Sequence, residues 1–165
     1  MNLLTAAHVL ISVVGILSGF VVVSGLIGNK PRPGCTALFL ASTAATSVTG
    51  FLFPFHRFMP SHAVGIVSLV VLAVAIYARS ARGLAGAWRR TYVVTAVAAL
   101  YLNVFVLVAQ AFQKVPALRA VAPTQSEPPF AAAQAVVLVV FIALGAAAAV
   151  RFRGPAGDRG APGAG

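Results

Sequence analysis

Acidic side chains are nearly missing from this chain: Glu127 and Asp158 are the only two among 165 residues, against twelve Lys and Arg and a formal charge of +10. Charge of either sign is scarce, at 8% of residues where soluble chains use roughly a quarter, and mean hydropathy is +0.97. That excludes a soluble core. Cysteine is limited to Cys35, which rules out an internal disulfide, a CxxC redox pair and a covalent c-type haem motif. No Ser-His-acid set, Walker loop or HExxH is present, and no internal repeat divides the chain into halves. Nothing catalytic is legible, so enzymatic activity would need a cofactor or a partner.

The excess of positive charge does not point to nucleic acid. The basic residues fall in short clusters between apolar runs, which is the pattern that sets membrane topology. The fold class expected is all-α, a polytopic transmembrane helical bundle. Its five spans cover about residues 5–27, 35–53, 61–77, 91–112 and 130–150 of a single transmembrane domain, 1–153. Residues 154–165, GPAGDRGAPGAG, are too poor in apolar surface to order themselves and are expected as a disordered cytoplasmic tail. The first run has no basic residue before it and exceeds the ~7–15 residues of a signal-peptide core, so it is read as a retained helix.

Each connection has its own character. GNKPRPG, 28–34, is a turn with two prolines and two basic residues. TGFLFPFHRFMPSH, 49–62, ends the second span at Pro54 and opens the third after Pro60, with Ser61 as a candidate N-cap. RSARGLAGAWRR, 79–90, holds four arginines and Trp88 and suits a surface of anionic headgroups, with a short surface helix as one form. Residues 113–129 carry four prolines and are expected as a loop. Nine basic residues lie on the side reached after the first, third and fifth spans, and Arg57, Lys114 and Arg119 on the other. The positive-inside rule then puts the N-terminus outside and the C-terminus in the cytoplasm.

Small and polar positions mark helix contacts. Gly15 and Gly19 form a GxxxG on the face of His8 and Ser12. Ser42, Thr46 and Gly50, with Thr43, Ser47 and Thr49, crowd the later half of the second span, and bond to i−4 carbonyls, pack on neighbours or line a polar path. Asn103 and Gln110 are seven apart and share a face. Gln110 and Gln134 are expected at similar depth, near enough for a direct bond of ~0.6 kcal/mol. Arg57 either snorkels to headgroups or pairs with Glu127.

The three histidines, His8, His56 and His62, share one outer level in this topology. They sit in wet interface or bond within the bundle. Alternatively two of them ligate a b-type haem, or they hold a metal; His8 and His62 each sit near a glycine that would admit a flat ring, and they are the better pair because each lies about one turn inside a helix while His56 follows Pro54 in a turn. No local metal-ligand spacing supports the metal form. The absence of charge from the middle of every span disfavours proton pumps, cation transporters and voltage sensors.

At SVTGFLFPFHRFMPSHAVGIVSLVVLAVAIYAR, ALYLNVFVLVAQAF and APTQSEPPF the chain resembles small uncharacterised polytopic membrane proteins of bacteria, of proteobacterial type, over most of residues 5–153. The resemblance implies an inner (plasma) membrane location and a helical bundle, and attaches no activity. Three classes follow. The first is a structural, accessory or partner-binding membrane protein, docking on itself or on a membrane partner; the second is a haem- or metal-binding electron-transfer subunit. The third is a small-solute channel or carrier lined by Ser42, Thr46, Asn103 and Gln110.

Overall fold

The computed structural model describes the backbone of residues 3–52 and 60–154, and the side chains of all of these except 60–62. Six helices follow one another: α1 (Leu3–Ile27), α2 (Pro33–Gly50), α3 (Pro60–Ser80), α4 (Ala87–Lys114), α5 (Pro116–Val121) and α6 (Pro128–Arg151). The described residues contain no strand. Four helices, α1, α3, α4 and α6, are long and apolar enough to cross a membrane. The fifth expected span, α2, falls short of that measure. Its 18 residues reach ~27 Å and eight of them are Ser, Thr or Gly.

The helix ends depart from expectation in instructive ways. The second span stops at Gly50 rather than at Phe53, because Phe51 and Leu52 turn with their amides on Val48 and Thr49 carbonyls. Residues 79–90 hold no separate surface helix: α3 runs through Ser80, the chain turns with Gly83, Leu84 and Gly86 at positive φ, and Trp88 already belongs to α4. There Arg82 lies 5.2 Å over the Trp88 ring, which meets Tyr77 edge-on at 5.3 Å. Residues 113–129 are not all loop. Pro116 ends α4 but starts α5, since a proline lacks only an amide that the first helical turn leaves unpaired.

The α1–α2 hairpin is antiparallel over its whole length. His8 meets Thr49, Ser12 meets Thr46, and added Cβ atoms would bring Gly15 to Ser42 and Gly25 to Lys30. Hydroxyls make a Ser- and Thr-rich helix compatible with apolar surroundings by donating to their own backbone: Thr36 to Arg32, Ser42 to Leu38 and Thr49 to Ala45, at 3.0, 2.6 and 2.7 Å. On its other side α1 packs against α4, where Gly15 lies beside Asn103 and Gly19 beside Leu100. This contact is also antiparallel.

α3 closes a ring by packing on both α2 and α4, while α6 lies against α4 and α1. Phe141 anchors α6 between Phe20 and Tyr101, with ring centroids 6.0 and 5.8 Å away. The core occupies the half of the bundle near the α1–α2 turn: Val22, Val23, Phe39, Leu72, Tyr92, Val93 and Leu100 are each under 4% exposed. At that end Phe152 is buried, the Arg89 guanidinium donates to its carbonyl, and the Arg153 amide donates to Asn29 Oδ1 at 2.9 Å. α3 and α6 keep apolar side chains such as Ile66, Val70, Val139 and Ile142 exposed, as helices facing lipid do.

Candidate functional site

Because the core fills only one half of the four-helix ring, the opposite half is open. A cavity of about 640 Å³ lies between α1, α2, α3 and α4, a volume typical of small-molecule sites. Its wall includes Thr5, His8, Ser12 and Ile16 of α1; Thr46, Ser47 and Gly50 of α2; Gly65 and Ser68 of α3; and Asn103, Gln110 and Lys114 of α4. Valines and leucines fill the spaces between. The antiparallel α1–α4 register puts Thr5 level with Lys114 and His8 level with Gln110, with Asn103 near the floor. From Thr5 to Ile16 the wall descends about 16 Å, by helical rise.

The floor is set by two contacts. Asn103 donates from Nδ2 to Thr43 Oγ1 at 3.0 Å, tying α4 to α2 across the small side of Gly15. One turn further in, an added Cβ on Gly19 would stand 2.5 Å from Leu100 Cδ1 and 2.9 Å from the Phe39 ring, so these two buried side chains pack directly on the α1 backbone there. None of Gly19, Phe39 and Leu100 lines the cavity.

His8 Nδ1 lies 2.8 Å from the Thr49 hydroxyl oxygen, which is itself 2.7 Å from the Ala45 carbonyl oxygen and 3.2 Å from that of Thr46. Gly50 lies beside this ring, an added Cβ coming no nearer than 3.8 Å to Cε1.

The other expected positions distribute as follows. Gly15 and Gly19 face α2 and α4; Thr46, Gly50, Asn103 and Gln110 line the cavity; Ser42 sits below it, 3.2 Å from an added Gly15 Cβ. Gln134 does not bond Gln110. Its Nε2 donates to the Phe105 carbonyl at 3.1 Å, while its buried Oε1 is unpaired among the described residues. His56 and Arg57 lie outside the described residues, as does the side chain of His62, so neither the histidine convergence nor an Arg57–Glu127 pair is described. Among the described residues no His, Cys, Asp and Glu group of three or more has metal-binding spacing.

Sequence reasoning did not single out Ser68, or Lys114 as a wall residue, because α3 and the end of α4 had no known register with the hairpin. Above the cavity Gln125, at φ 60, donates to the Ala109 carbonyl at 2.6 Å and folds the α5–α6 connection back on α4. Glu127 closes that connection. Desolvation raises its pKa, but hydrogen bonds from the Thr124 hydroxyl and from the backbone amides of Thr124 and Ser126 outweigh this and leave the carboxyl below its ordinary value.

No family model, curated protein or solved structure matches this chain.

Proposed function

We propose that the chain is a multi-pass protein of a bacterial inner membrane, with α2 as a fifth crossing helix, its N-terminus outside and its C-terminus cytoplasmic. It serves as an accessory protein that receives a ligand or partner at its outer half and performs no chemistry of its own. The fifth span is supported by the hairpin: after a turn in which Lys30 faces Gly25, α2 runs beside α1 past Gly19, which meets Phe39, to the level of His8, so α2 shares most of the thickness that α1 crosses. The orientation is supported by the basic residues gathered near Asn29, Arg89 and Arg153.

One observation carries the reading: the cavity is roomy and partly polar, yet stops where Gly19, Phe39 and Leu100 meet. A dead end favours binding over passage and weighs against the channel class. Thiol labelling tests this. In a Cys35→Ser background, Ser12→Cys and Thr46→Cys should react quickly with a membrane-impermeant maleimide added from outside, and Ser18→Cys should not. Equal labelling at Ser18 would indicate a path past the floor and favour the channel.

A second reading is favoured by His8 alone. Its Nδ1 meets the Thr49 hydroxyl across the α1–α2 seam at 2.8 Å, and Gly50 leaves room beside the ring for a flat group to approach. His62 would supply the second ligand. An absorbance spectrum of protein made with ample haem and iron decides: a Soret band lost in His8→Ala and His62→Ala, and kept in His56→Ala, would establish it. Colourless, metal-free protein would sink it.

A further inference from the structure

We propose that the cavity is a site for an acidic amphiphile, an acyl carboxylate or a lipid phosphate, with its anion at the Lys114 rim and its apolar part inside. This rests on the reading of the cavity as an outward-facing ligand site.

Charge chooses the head. Lys114 is the only charged side chain in the described wall, and it stands exposed at the rim, level with Thr5. The protein has almost nothing with which to neutralise it. Of the two acidic residues, Glu127 has its carboxylate occupied by Thr124 and Ser126, and Asp158 lies beyond the described residues. Gln110, one turn below Lys114, adds an amide donor at the level of His8. A cationic ligand would find no carboxylate in this wall, whereas an anion finds an ammonium and amide hydrogens.

The interior selects an apolar body carrying oxygen. Val9, Val13, Ile16, Val106 and Leu107 line most of the depth. Among them Ser47 and Ser68, 8% and 4% exposed, line the cavity from two different helices. Ser12, Ser18 and Ser42 spend their protons on i−4 carbonyls, but among the described residues Ser47 and Ser68 have no hydrogen-bond partner. A hydroxyl that could satisfy itself on its own helix and instead stands open to a cavity suits an ester, acid or hydroxyl oxygen arriving from outside. The arrangement is that of a lipid head and its first chain carbons.

Full-length protein, delipidated in neutral detergent, is titrated with phosphatidylglycerol, phosphatidylcholine and oleate, and bound mass is read by native mass spectrometry. One acidic amphiphile per chain should bind about tenfold more tightly than phosphatidylcholine. Preference for phosphatidylglycerol identifies a lipid phosphate, preference for oleate an acyl carboxylate. Lys114→Gln should bring acidic and zwitterionic ligands to parity. Gly50→Leu should remove binding of all three, because its side chain enters the cavity, and among the described residues only the His8 ring edge lies within 4 Å of its Cβ. Undiminished acid preference in Lys114→Gln overturns the placement of the anion and leaves the ligand site standing. Binding unchanged in Gly50→Leu overturns both readings, and a parent protein that binds none of the three overturns the acidic ligand.

Discussion

Gly15 and Gly19 are one turn apart on the same face, yet they should respond differently to the same methyl group. At Gly19 the new Cβ would lie 2.5 Å from Leu100 Cδ1 and 2.9 Å from the Phe39 ring, so both side chains must shift, and both are wholly buried with little room to do so. Overpacking of that kind costs ~1–3 kcal/mol. At Gly15 the nearest atom is the Ser42 hydroxyl at 3.2 Å, which has to give by only a few tenths of an ångström, and the gain of up to ~1 kcal/mol from removing a helical glycine offsets much of the strain. Gly19→Ala should therefore lower Tm in detergent clearly, with Gly15→Ala near neutral and leucine harmful at both. Equal alanine shifts would mean the floor is not closed as described. The spacing of this pair was legible in the sequence; which neighbours it meets was not, because partner identity depends on the register between helices.

Glu127 supplies a pH dependence at the same scale. Its folded pKa lies below the ordinary 4.5, so the hydrogen-bonded turn is favoured above that value and loses this contribution as pH falls through the folded pKa. Amide exchange at Thr124 and Ser126, corrected for the intrinsic rate, should accelerate as pH falls below the ordinary 4.5 and through the lowered folded pKa. Glu127→Gln should exchange faster at neutral pH and lose the acid step. An acid step that survives Glu127→Gln would assign it to another group.

At the scale of elements, the apolar runs located the long helices to within a few residues, since span length and proline positions are read directly from the chain. Two kinds of feature were not legible. Prolines announce interruption without saying whether the next turn is coil or helix, and Pro116 and Pro128 both stand in the first turn of a new helix. Polar residues announce contact without naming the acceptor: Gln134 reaches a carbonyl of α4 instead of Gln110. Cavity residues were partly legible, through the Asn103–Gln110 spacing, but Ser68 and Lys114 join them only through packing. The α2–α4 tie gives a measurable quantity. Asn103→Leu and Thr43→Val should each destabilise the bundle, and the double-mutant cycle should return a coupling of about 0.6 kcal/mol, the mean for such bonds between membrane helices. Zero coupling in thermal or denaturant unfolding would remove the bond from the floor.

For the whole molecule the decisive element is α2, because every orientation downstream depends on whether it crosses. The folded chain gathers the α1–α2 turn, the start of α4 and the end of α6 at one end through Asn29, Arg89, Phe152 and Arg153. If α2 crosses, that end carries Lys30, Arg32, Arg89, Arg90, Arg151 and Arg153 together on one face of the membrane, the face proposed as cytoplasmic by the positive-inside rule, and the cavity opens on the other. If α2 instead lay within one interface, residues 32 and 90 would fall on opposite sides of the membrane, and the tie between Arg153 and Asn29 would have to span it. Reporter fusions after Arg32, Arg90 and Arg153 should therefore all report the cytoplasm, and fusions near Arg57 and Gln125 the outside. A periplasmic signal at Arg90 with a cytoplasmic one at Arg32 would refute the fifth span. All five signals reversed would keep the span, turn the cavity toward the cytoplasm, and require an acidic ligand from the inner leaflet.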